Sequence, residues 1–72
     1  MLKRGVISKI DGAQAAVFIP DEGNAVTAML PFAKSISPTS VNIGDNCVVA
    51  FFDAEYISFA DGVILAIYGG TS

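Results

Sequence analysis

Alternating apolar and polar positions open the chain, and two solid apolar blocks close it. Gly5 to Ile10 places Val6, Ile7 and Ile10 beside Ser8 and Lys9, and Asp11-Gly12 follows. This predicts a first strand. The adjacency of Val6 and Ile7 predicts either that both faces of this strand are partly covered or that a bulge shifts the register between Ile7 and Ile10, as where one strand bends to serve two sheets. Asp11-Gly12 suits the positive φ of a tight hairpin turn. Gln14 to Ile19 sets Ala15, Val17 and Ile19 against Ala16 and Phe18, a second strand that Pro20 ends. Pro20-Asp21-Glu22-Gly23-Asn24 is a turn with Gly at the left-handed position. Ala25 to Leu30 predicts a third strand, with Val26, Ala28 and Leu30 on one face, closed by Pro31.

From Phe32 to Ile43 the isolated apolar residues Phe32, Ile36 and Val41 sit among serines, Pro38 and Thr39. This predicts a crossing loop with at most a single helical turn. Ile43-Gly44-Asp45-Asn46 then turns the chain into the first apolar block, Cys47 to Phe52, and Asp61-Gly62 launches the second, Val63 to Tyr68. Both blocks are six residues long, rich in β-branched and aromatic side chains and bounded by Gly and Asp, so they predict strands joined by a long hairpin. A three-stranded meander, a crossing loop and a hairpin have the connectivity of a small five-stranded Greek-key barrel of the OB type, an all-β fold in which residues 1–72 form a single domain. A barrel interior accounts for one apolar face of each strand. It does not account for the fourth and fifth strands being apolar on both, which predicts a partner surface there.

Composition strengthens that expectation. The chain has 72 residues, is 53% hydrophobic and 15% charged, and has a mean hydropathy of +0.60. A domain this small buries only about 60% of the surface its unfolded chain exposes, so the apolar excess points to a protein interface. Phe52, Tyr56, Ile57, Phe59 and Tyr68 are its expected contact residues. The apolar runs fall far short of the roughly 20 residues of a membrane-spanning helix, and the start Met1-Leu2-Lys3-Arg4 lacks the apolar region of a signal peptide. One cysteine, Cys47, permits no intrachain disulfide and suits a reducing cytosol.

Charge and chemistry narrow the function. Net charge is −3, and Lys3, Arg4, Lys9 and Lys34 are the only basic residues. Nucleic-acid binding needs clustered Lys and Arg, and Tyr56 and Phe59 instead lie among Asp53, Glu55 and Asp61. Lys3, Arg4 and Lys9 read as a charged strand end or edge, with a small positive patch as the alternative. With no histidine and one cysteine in a buried pattern, neither a Ser-His-Asp nor a Cys-His arrangement can be built. The acids all fall at predicted turns, where they are structural. No enzyme, metal or cofactor is expected.

The series Gly5-Val6-Ile7-Ser8-Lys9-Ile10, Ala16-Val17-Phe18-Ile19-Pro20-Asp21, Met29-Leu30-Pro31, Ile43 to Phe51 and Asp61-Gly62-Val63-Ile64-Leu65-Ala66 resembles the OB domain of the phage baseplate assembly protein V and central tail-spike family, related to tail-like bacteriocin and type VI secretion spikes. The order and spacing of the pieces carry the resemblance, which spans nearly the whole chain, with Ala66 standing where the family often has glycine. It implies a structural, trimeric protein of the virion tail, assembled in the bacterial host cytoplasm and contacting tail hub or baseplate proteins. Because the sequence ends at Ser72, without a β-helical needle, the expectation is a hub, plug or spike adaptor. An OB-type nucleic-acid- or oligosaccharide-binding module is the alternative.

Overall fold

A computed structural model describes residues 1–52 and 61–70. Within these residues six strands form one antiparallel sheet: β1 (Leu2–Asp11), β2 (Gln14–Ile19), β3 (Ala25–Val26), β4 (Leu30–Pro31), β5 (Asp45–Phe51) and β6 (Gly62–Gly70). Their order is β3-β2-β1-β5-β6, with β4 also paired to β2. The connection from β4 to β5 therefore carries the chain across the sheet and returns it beside the first strand.

The long first strand makes this possible. Residues 2–6 of β1 pair with β5 and residues 6–11 pair with β2, so Val6 alone belongs to both ladders, opposite Asn46 and Phe18. Of the two alternatives for Val6 and Ile7, the bulge is present. Ile7 faces Val17 and Lys9 faces Ala16, leaving Ser8 as the extra residue. Where β1 passes over β2 it carries Gly5, at which a Cβ would stand 2.9 Å from the Phe18 carbonyl oxygen and collide with Val17. Gly12, with φ of 63°, turns the chain into β2. Gly23 and Asn24, with φ of 67° and 64°, close the next turn behind a single 3-10 turn at Pro20–Glu22.

The third expected strand is split. Thr27 is buried and takes over the ladder there: its N–H donates to the Val17 carbonyl at 2.9 Å, and its hydroxyl accepts the Val17 N–H at 2.9 Å while donating to the Ala28 carbonyl at 2.7 Å. A side chain thus satisfies a backbone donor that a regular strand would have met with a carbonyl. Leu30 reaches the core but Val26 stays 54% exposed, contrary to the expected common face for Val26, Ala28 and Leu30.

The all-β expectation holds, but the sheet is not closed into a barrel. Its two ends meet at one parallel bridge, Phe32 with Ile64, where the Ala33 N–H donates to the Ile64 carbonyl at 2.8 Å. The physical reason lies in β4, which is two residues long and ends in Pro31, a residue with no N–H to give a ladder. Phe32 and Ile36 pack onto the core from the crossing loop, and Val41 is buried within it. The loop, with a single 3-10 turn at Pro38–Ser40, covers what a closing ladder would have covered.

The core comprises Ile7, Ala15, Val17, Ile19, Leu30, Val41, Cys47, Val49, Phe51 and Ile64. On β5 the alternation is clean, Cys47, Val49 and Phe51 inward and Val48 and Ala50 outward. On β6 it is not. Two register shifts against β5 leave Leu65 and Tyr68 as extra residues, one between the Val48–Ala66 and Val49–Ile64 pairs, the other between Asn46–Gly69 and Cys47–Ile67. At each bulge the alternation skips a step, so Leu65 and Ala66, then Tyr68 and Gly69, all face solvent, while Ile64 and Ile67 face in. An unbroken apolar run is therefore compatible with a sheet that has one covered face.

Candidate functional site

The outward face of β1, β5 and β6 is the surface that the bulges build. The registers place Leu2, Ala50 and Val63 in one row across the three strands, and Arg4, Val48 and Ala66 with Leu65 in the next. Val6, Asn46 and Gly69 with Tyr68 form the third. Phe52 extends the first row: its N–H donates to the Asp61 carbonyl at 2.9 Å, and the residue is 70% exposed. Leu2, Leu65 and Tyr68 are also well exposed. Arg4 is the only charged side chain within the three rows. The patch is the sort of contiguous apolar surface that small soluble domains seldom leave open.

The expected contact residues divide. Phe52 and Tyr68 lie at opposite ends of the β5–β6 ladder, five to six residues of β5 apart, or roughly 17–20 Å at strand rise. Tyr56, Ile57 and Phe59 lie outside the described residues. Leu2, Val63 and Leu65, which join Phe52 on the apolar end, were not expected contacts. For Leu2 a signal existed, because Leu2, Arg4 and Val6 alternate with Lys3, Gly5 and Ile7. The two charges and the glycine obscured it, so the predicted strand began three residues late. Leu65 shares a face with Val63 by plain alternation, but with both faces of this strand apolar the pattern did not say which face is covered.

Tyr68 belongs to a different feature. Arg4, Gly5, Val6, Pro20, Asp21, Asn46 and Tyr68 line an open cavity of about 190 Å³ where β1, β5 and β6 meet the 3-10 turn at Pro20–Glu22. An ion pair fixes that turn beside β1, with Lys3 Nζ 2.6 Å from Glu22 Oε2. Lys3 thus points to the turn and its neighbour Arg4 to the cavity, as alternation along a strand requires. Among the described residues, the side chains of Arg4, Asp21, Asn46 and Tyr68 make no hydrogen bond or ion pair.

Other chemistry is sparse among the described residues. No three His, Cys, Asp or Glu side chains cluster as metal ligands, and no helix is long and apolar enough to cross a membrane. Cys47 is fully buried, and burial, with the nearby Asp45 carboxylate adding to it, pushes its thiol pKa from 9.0 up to about 11. Such a thiol is a core side chain and a poor nucleophile at neutral pH. No protein-family model matches the chain, and no curated protein matches it in sequence.

Proposed function

We propose that this chain is an oligomeric structural component of a phage tail or baseplate, or of a related injection machine, serving as a hub, plug or spike adaptor. The observation that carries the oligomer is the apolar end of the outward face, where Leu2, Ala50, Phe52, Val63 and Leu65 are gathered with no charge among them. A chain of net charge −3 repels its own copy over most of its surface, and a contact between copies is cheapest where that charge is absent. The assignment to a tail rests on the order and spacing of the motifs from Gly5 to Ala66 that resemble central-spike OB domains. A trimer is the expected state, with Tyr56, Ile57 and Phe59, in the sequence between β5 and β6, as further contacts. Multi-angle light scattering at micromolar concentration tests the reading. The expected mass is three times that of the chain; a folded monomer that does not associate with a tail hub protein overturns it.

A further inference from the structure

We infer that the cavity at the Tyr68 end of the outward face is a binding site for a neutral saccharide, an inference that goes beyond the tail role and does not depend on it. The argument begins with hydrogen-bonding capacity. Arg4 offers only donors, Asp21 only acceptors, and Asn46 and Tyr68 both. None of these four side chains spends that capacity on another described residue. They line one concavity, so a ligand that fills it must present donors and acceptors side by side. Adjacent ring hydroxyls do so, because each both donates and accepts: a carboxylate takes the protons of neighbouring hydroxyls and a guanidinium fork gives to their oxygens.

Charge selects among polar ligands. Arg4 and Asp21 sum to zero at the cavity, and the neighbouring Lys3 and Glu22 are paired with each other. A phosphate or carboxylate ligand would gain from Arg4 and lose to Asp21, and an ammonium ligand the reverse, so the site favours an uncharged one. Shape agrees. Pro20 and Tyr68 supply the apolar walls, and the electron-rich face of a phenol ring attracts the polarised C–H groups of a sugar ring. A volume of about 190 Å³ is below the roughly 300–1,000 Å³ of drug-sized pockets, so it holds one sugar unit, bound weakly and open to solvent on one side.

The test is a titration of the isotope-labelled protein, followed by amide NMR, with glucose, galactose and N-acetylglucosamine at millimolar concentrations. The amides of Arg4, Val6, Asn46 and Tyr68 should shift together with at least one of the three. Tyr68→Ala and Asp21→Ala should each weaken that sugar about tenfold, which is ~1.4 kcal/mol. Tyr68→Phe, which keeps the ring, should weaken it less, and Thr39→Ala, in the crossing loop, should bind as the parent does. The same spectra report whether each variant is folded. No shift with any of the three sugars overturns the inference. So do shifts that persist undiminished in a folded Tyr68→Ala, or tighter binding of glucose 6-phosphate or glucosamine than of glucose. Light scattering on the same samples keeps the two readings apart: sugar binding by a monomer removes the oligomer alone, and a trimer that ignores sugars removes the saccharide site alone.

Discussion

Thr27 shows how much one side chain can decide. Its hydroxyl stands in for a strand carbonyl opposite the buried Val17 N–H, so removing the oxygen while keeping the shape strands that donor in the core. Thr27→Val should cost about 1–3 kcal/mol, whereas Thr27→Ser keeps the bond and loses only a methyl group. Urea unfolding of the pair separates the hydrogen bond from the packing. Cys47 gives a second expectation. Its thiol holds its proton in the folded state up to about pH 11 but releases it from 9.0 in the unfolded chain. The folded state therefore binds more protons across that window, and stability falls as pH rises through it. The loss approaches about 3 kcal/mol by the upper end, and stability is unaffected by this group below the window. Cys47→Ala should remove that component of the alkaline slope in unfolding midpoints measured from about pH 8 to about pH 11.

At the scale of elements, β1 and β6 are the two described strands that carry bulges, and each does so for a definable reason. β1 changes partners at Val6, and Gly5 lets it pass close over β2 at that point. Gly5→Ala pushes a methyl group against Val17 and the Phe18 carbonyl, and should destabilise the domain by about 1–3 kcal/mol, read as a lower thermal midpoint. In β6 the bulges at Leu65 and Tyr68 turn two side chains outward that a regular strand would have shared between its faces. The two apolar blocks looked equivalent in the sequence, yet they play different parts. β5 follows strict alternation through the middle of the sheet, whereas β6 meets the crossing loop at one edge and displays side chains outward.

For the whole molecule the question is where the apolar excess goes. The radius of gyration, 10.8 Å, is close to the ~11 Å expected for this length, so ordinary compaction has been reached. The excess therefore emerges at the surface, and on the outward face of β1, β5 and β6 it is gathered rather than scattered. If that face joins copies of the chain, a charge placed in it should dissociate the assembly and leave the fold intact. Phe52→Asp and Leu65→Asp are both exposed substitutions of this kind, and Tyr56→Asp and Phe59→Asp test the expected contacts between β5 and β6. The expected result is a loss of scattering mass with unchanged far-UV circular dichroism. Unchanged mass in Phe52→Asp and Leu65→Asp would move the contact away from this face.

Composition and local pattern determined that this chain is all-β, that its turns fall at Gly12, Gly23 and Gly44, that β2 spans Gln14 to Ile19 and that Cys47, Val49 and Phe51 share one face of β5, though not that this face is the buried one. Each of these follows from period-two alternation or from a residue's own backbone preference, and both are local. The face on which Leu65 and Tyr68 lie, the splitting of the third strand at Thr27, the open sheet in place of a barrel, and the meeting of Arg4, Asp21, Asn46 and Tyr68 were decided only by the tertiary structure. Register shifts, side chains that replace ladder bonds and cavities between distant elements depend on pairings across tens of residues. A strand's own pattern carries no record of the partner it will meet.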